Sequence, residues 1–218
     1  IVALMLLFHK LIGTWRNKVS AYIALTDFHK QKLIEGGLPG DKIWVKPNFL
    51  QRTEDWGQKT DDGNQQSAIN GQQSNFRGLS SDVRSLIAGQ TPFALFVGRL
   101  SPEKGCDVLL KAWAKFQQTW RREHGGVVSD TFQLLIVGDG PEREKLEKLS
   151  VKLKMTSSVK FVGKQPKCKI MGLMREGCFL VLPSLWYEGF PMTIVEAFSC
   201  GLPVIAANHG GMKSVIKE

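Results

Sequence analysis

Glu188 and Glu196 are separated by seven residues in the stretch LWYEGFPMTIVEAF. The two oxygens of a carboxylate can each take a bond from one hydroxyl of a vicinal diol, so a pair of acids suits a polyhydroxylated ligand. What surrounds them gives the spacing meaning. An apolar run, Phe179 to Leu182, reads as a buried strand ending at Pro183-Ser184, and Glu188 follows in a loop. Gly189-Phe190-Pro191 then leads into a helix-like segment that carries Glu196. A second apolar run, Pro203 to Ala207, ends at a glycine turn, Gly210-Gly211. The loops of such a strand–helix–strand unit open at one edge, and ligands of open α/β sheets bind at the carboxyl ends of the strands. The pattern points to a sugar-nucleotide site.

The rest of the chain supplies the elements that must hold those acids. Ile1 to Trp15 reads as a helix and Val19 to Leu25 as a buried strand. Thr26-Asp27 caps a helix over Phe28 to Glu35, which Gly36-Gly37 ends, and Ile43 to Lys46 forms a second strand. Between Leu50 and Gln90 large apolar residues are sparse among Gln, Asn, Ser, Gly and Asp. Such a segment buries too little surface to offset its ordering entropy, so a flexible linker or insertion is expected. From Phe93 the pattern becomes regular. Strands are predicted at FALFVG, FQLLIVG and VKFVG, with helices over Lys104 to Arg121, Glu142 to Leu153 and Lys167 to Met174. The first of these helices is expected to bury Val108, Leu109, Ala112 and Phe116. Alternating strands and helices imply a parallel α/β sheet with helices on both faces.

Four segments in order then carry a resemblance: GRLSPEKG at Gly98 to Gly105, VGDGPER at Val137 to Arg143, FVG at Phe161 to Gly163, and the Glu188-x7-Glu196 stretch. Together they resemble the retaining glycosyltransferases of family four, which have the GT-B fold. The resemblance runs from about Phe93 to the end. IALTDFHKQKLIEGGLPGDKIWVKPN further resembles the last strand–helix–strand unit of that family's N-terminal domain. It implies residues 1–50 as the end of an acceptor domain, 51–91 as a linker and 92–218 as a nucleotide-sugar domain, with the chain a fragment at both ends.

The resemblance also implies roles. Arg99 and Lys104 would bind the donor diphosphate: a guanidinium forks onto phosphate oxygens, a lysine adds a compact charge, and the helix N-terminus beside them adds more. Their alternative is a pair of surface residues flanking a turn. Gly98 belongs to the same turn. Gly138 and Gly140 would lie near the nucleotide, although G-D-G-P is also a serviceable strand-to-helix turn by itself. Glu196 would accept both ribose hydroxyls; Glu188 would bind the donor sugar or stabilise developing positive charge. The backbone from Gly189 through Phe190 and Pro191 to Met192 would approach the sugar. That of Thr193, Ile194 and Val195 would face the phosphates at the helix start. Trp186 and Tyr187 are expected to brace the loop.

Composition narrows the alternatives. The net charge of +9 is spread among acids and apolar positions with no Arg-rich tract or zinc-finger spacing, so nucleic acid is not expected. Solvated basic helix faces are the first reading of this charge, with peripheral contact between a basic surface and anionic lipid at the inner face of the plasma membrane as the alternative. Cysteines that suggest no disulfide framework fit the reducing cytoplasm. Cys106, Cys168, Cys178 and Cys200 form no C-x-x-C pair, and Cys178 and Cys200 are expected as core thiols. No metal or other cofactor is expected beyond the donor itself. His9, His29, His124 and His209 lack a partner pattern and read as surface or capping residues. The partners implied are a nucleotide-diphosphate sugar and a sugar or lipid-linked acceptor. The rivals are a non-catalytic nucleotide-sugar-binding module and, among enzymes, a GT-B-like epimerase or phosphorylase; no pyridoxal-lysine context supports the last.

Overall fold

The computed structural model describes residues 8–9, 11–47, 79–88, 91–125 and 132–216. The chain divides into two compact units, Ile1–Phe49 with Tyr187–Met192 and Asn208–Glu218, and Leu50–Trp186 with Thr193–Ala207.

In the first unit a short helix α1 (Thr14–Asn17) precedes β1 (Tyr22–Ala24), α2 (Asp27–Glu35) and β2 (Ile43–Val45). β1 and β2 pair in parallel, with Tyr22 opposite Ile43 and Ala24 opposite Val45. The Thr26 hydroxyl caps α2 by accepting the His29 N–H at 3.1 Å. β1 is shorter than the strand expected from Val19 to Leu25, and it is only half covered. In a two-stranded sheet alternate side chains point to opposite faces, so the paired Ile23 and Trp44 are exposed while Ala24 and Ile43 are buried. Most of the helix expected over Ile1 to Trp15 lies outside the described residues.

The second unit opens with α3 (Ser81–Ala88) and continues as β3 (Phe93–Val97), α4 (Cys106–His124), β4 (Gln133–Val137), α5 (Arg143–Lys152), β5 (Val159–Gly163), α6 (Lys167–Glu176), β6 (Phe179–Leu182), α7 (Met192–Ser199) and β7 (Val204–Ala206). The five strands are parallel in the order β5-β4-β3-β6-β7. Order reverses between β3 and β6, which makes the crevice beyond their carboxyl ends the expected binding edge. Because strand side chains alternate, Ala94, Phe96, Leu134 and Ile136 share a core with Leu110 and Trp113 of α4 and Leu146 of α5. Phe93 and Leu95 face the other way, where Gly177 at the end of α6 lies against both. Helices therefore cover both faces. A buried polar knot ties α4 to the turn before β5: Trp113 Nε1 donates to Ser158 Oγ at 3.3 Å and Gln117 donates to the same oxygen.

Three expectations are corrected. Residues 79–88 lie inside the segment expected to be a flexible linker, yet α3 is a helix there. Val83 and Leu86, three apart and so on one face, are its buried residues, and Leu79 is buried just ahead of the helix. The remainder of that segment, 50–78 and 89–90, lies outside the described residues. Second, α4 begins at Cys106 because Gly105, at φ 65°, separates it from a 3-10 turn at Pro102–Lys104. Its buried stripe is Cys106, Leu109, Leu110, Trp113, Ala114 and Gln117, whereas Val108, Ala112 and Phe116 are exposed. Third, Cys178 is exposed and Cys200 half-buried, since Cys178 precedes β6 rather than entering it; the buried thiol is Cys106.

Candidate functional site

The strand-end loops of the second unit are joined backbone to backbone. Gly98 N–H donates to Val137 O, Leu100 N–H to Asp139 O, Glu142 N–H to Leu100 O and Gly138 N–H to Gly163 O, all at 2.9–3.0 Å. Only glycine permits this approach: a Cβ on Gly138 would overlap the Gly98 carbonyl, and one on Gly140 the backbone of Leu100. At the order reversal the same happens between the loops after β3 and β6. Leu185 N–H donates to Glu103 O at 2.8 Å, and a Cβ on Gly105 would overlap the Pro183 carbonyl.

Four of the expected residues, Gly98, Arg99, Gly138 and Gly140, line one cleft of about 640 Å³ at these strand ends. Asp139, Lys164, Gln165 and Ile170 line it too. The last three were not singled out from the sequence, although Lys164 and Gln165 follow the third strand's glycine just as Arg99 and Asp139 follow the first two. Arg143 steadies the middle loop, donating to Glu147 at 2.9 Å and to Asp139 at 3.4 Å, while Asp139 accepts the Gly140 N–H at 2.8 Å. The Glu147 bond, ahead of the Asp139 charge, raises the Arg143 pKa further. Glu103 is held below the usual carboxylate range first by the Ser101 hydroxyl, at 2.5 Å, then by its own N–H and the Arg99 and Lys104 charges. A second, apolar cleft of about 430 Å³ lies between Trp113, Phe116 and Trp120 of α4 and Phe179 and Val181 of β6. None of the expected site residues lines it.

Glu196 lies on α7, its side chain 18% exposed, with Oε1 3.1 Å from Lys167 Nζ. The same helix turns Ile194 and Ala197 fully into the core. The expectation for Ile194 concerned its backbone; its side chain is core. Thr193 and Val195 are half-buried, as is Met192.

Glu188 to Pro191 belong with the first unit. The Thr26 hydroxyl donates to Gly189 O at 3.1 Å, and Gly211 N–H to Glu188 O at 2.7 Å. Gly210-Gly211 is no simple turn: it opens the helix α8 (Gly210–Val215), and a Cβ on Gly211 would overlap the carbonyls of Glu188 and Gly189. Tyr187 braces the loop against Phe28 and His209, with ring centroids 5.1 and 5.6 Å away, and Lys32 lies over both Phe28 and Tyr187. Trp186 is 71% exposed and Tyr187 68%. His209 is the residue before α8, and His124 stacks on Trp120. Among the described residues no group of three or more His, Cys, Asp or Glu side chains gathers, and no helix is long and apolar enough to cross a membrane.

The family model for glycosyl transferases group 1 matches residues 80–218, well over half of the chain. The chain belongs to this family. It is 36% identical over 130 residues to a D-inositol 3-phosphate glycosyltransferase of Acidothermus cellulolyticus, covering 57% of this chain and 28% of that protein. It is 33% identical over 128 residues to an uncharacterized glycosyltransferase of Methanocaldococcus jannaschii, covering 59% of this chain and 32% of the relative. The chain thus spans about a third of the length of these relatives or less. Among solved structures it resembles Anabaena HepE in complex with UDP and glucose, with TM-score 0.66, 22% identity, and coverage of 92% of this chain and 47% of the other. It also resembles WaaG, a glycosyltransferase involved in lipopolysaccharide biosynthesis, with TM-score 0.65, 21% identity and coverage of 91% and 47%. At these identities the likeness shows the fold, that of the GT-B glycosyltransferases.

Proposed function

We propose that this chain carries the donor site of a glycosyltransferase that moves a sugar from a nucleoside-diphosphate sugar to an acceptor, with retention at the anomeric carbon. The observation that carries the reading is the cleft at the carboxyl ends of β3, β4 and β5, where Gly98 and Arg99 meet Gly138 and Gly140, inside a group 1 glycosyltransferase match. Neighbours of this fold hold UDP and UDP-glucose, which makes UDP the natural probe nucleotide.

In the transfer, the bond from the anomeric carbon to the diphosphate breaks and its electron pair leaves on the diphosphate. An acceptor hydroxyl forms the new bond on the same face, with loss of its proton. Arg99 and Lys104 would neutralise the departing charge, and the N–H groups opening α7 would add to it. Glu196 would take the ribose diol; Glu188, on a loop pinned by Thr26 and Gly211, would bind the sugar or face the developing positive charge. Residues 1–50 would be the end of the acceptor-side domain, 51–91 the connection, which includes α3, and 92–218 the nucleotide-sugar domain. The acceptor would be a sugar or lipid-linked sugar in polysaccharide or other glycoconjugate synthesis in the cytoplasm. The basic surface would contact anionic membrane there.

Mass-spectrometric screening of the intact protein against a panel of nucleoside-diphosphate sugars and acceptors tests this. Donor-dependent transfer with release of the nucleoside diphosphate is expected. Tight donor binding without turnover would instead support the binding-module alternative, and absence of both would end the reading.

A further inference from the structure

Lys167 plays no part in the roles assigned so far, yet it is paired with the acid on which nucleoside recognition would depend. It is the first residue of α6, and its Nζ stands 3.1 Å from Glu196 Oε1. The cleft is close by along the chain: Gln165, two residues earlier, and Ile170, about one turn later, both line it. The partners differ in exposure, 61% for the Lys167 side chain and 18% for Glu196. A carboxylate that has lost most of its water is costly to leave unpaired. The lysine offsets that cost from the solvent side and fixes the carboxylate in one orientation.

The ion pair leaves acceptor capacity on the carboxylate. A carboxylate offers about four acceptor positions on its two oxygens, and an ammonium on Oε1 takes one of them. Oε2 and the second position on Oε1 remain for two hydroxyls. We propose that Lys167 is a positioning residue for ribose recognition, holding Glu196 oriented so that both its oxygens meet the 2′ and 3′ hydroxyls of the nucleotide. This rests on Glu196 being the ribose acid. Lys167 acts through the carboxylate and not on the phosphates, so its effect requires both Glu196 and the diol.

The test is calorimetric titration of the protein with UDP and with 2′,3′-dideoxy-UDP, at low and high salt. Wild type is compared with Lys167→Met, Lys167→Arg, Glu196→Gln and the Lys167→Met/Glu196→Gln double variant. Lys167→Met should weaken UDP binding about 2- to 5-fold, the scale of a partly exposed ion pair. Lys167→Arg should restore it, and added salt should shrink the difference. The loss should vanish with dideoxy-UDP and in the Glu196→Gln background. A loss that persists in either case means direct contact with the phosphates, and a gain means that lysine competes with ribose; each overturns the proposal. Weakening by Glu196→Gln but none by Lys167→Met removes Lys167 alone. Wild-type protein that binds UDP and dideoxy-UDP alike, or neither, removes the ribose assignment and this inference with it.

Discussion

Glu196 and Glu144 are both helix acids paired with a lysine, and they should behave very differently. Glu196 is mostly covered and bound to Lys167, whereas the Glu144 side chain is 80% exposed and its Lys148 pair lies in solvent. Removing a carboxylate that accepts two ribose hydroxyls leaves polar groups unpaired, at about 1–3 kcal/mol. Glu196→Ala should therefore weaken UDP binding roughly 5- to 150-fold while Glu144→Ala leaves it unchanged; equal affinities in calorimetry would sink the ribose assignment. Burial pushes the Cys106 thiol up to about 12 from an ordinary 9.0. A thiol whose folded pKa is raised contributes stability that is fully present below pH 9 and is lost as pH rises from there through 12. Cys106→Ala should flatten the decline in chemical-denaturation stability over that window. In the native protein at pH 8 a thiol reagent should label Cys168 and Cys178 first and Cys106 only on unfolding; prompt labelling of Cys106 would contradict its burial. Local sequence was a poor guide here. Cys178 sits beside Phe179 and Leu180 yet is exposed, because it stops one residue short of the strand.

At the scale of elements, three strand-end loops behave as one piece because glycine lets their backbones touch. Gly140→Ala must displace the Leu100 backbone, and overpacking of this kind costs about 1–3 kcal/mol. We expect a lower melting temperature and weakened UDP binding with a smaller effect on uridine, because the displaced segment carries Arg99. An unchanged melting temperature would show that the loops are not joined as described. Ser158→Ala would leave the Trp113 and Gln117 donors without their shared oxygen, so it should destabilise the fold by about 1–3 kcal/mol with no effect on nucleotide affinity. A thermal melt and a UDP titration on one sample separate those two effects. The strands β3 to β6 were readable because each is a short apolar run closed by Gly or Pro, as in FALFVG. The face of α4 was not, since its phase depends on where the helix starts, and the left-handed Gly105 shifted that start by two residues. α3 was hidden by its setting: Val83 and Leu86 sit at helical spacing in a segment dominated by Gln, Asn, Ser, Gly and Asp, and change its composition little.

For the whole molecule, net charge and size said little, and the decisive signal was the order of motifs along the chain. Three glycine turns after three strands come first, and their joined loops line the cleft at the ends of β3, β4 and β5; the Glu188–Glu196 stretch follows them in the chain. Sequence could place the motifs in line but not the bonds that fix them. Thr26 and Gly211 pin the Glu188 loop from positions 163 and 23 residues away, distances that no local pattern spans. The central claim is that the strand-end cleft binds a nucleoside diphosphate through the Arg99 loop. It is tested most directly by calorimetric titration of UDP and uridine into wild-type protein and Arg99→Ala. Charge-assisted bonds are about twice as strong as neutral ones and are confined here to the phosphates. The account predicts that Arg99→Ala lowers UDP affinity at least tenfold and leaves uridine affinity within about twofold. Equal losses for UDP and uridine, or no loss for either, would contradict it.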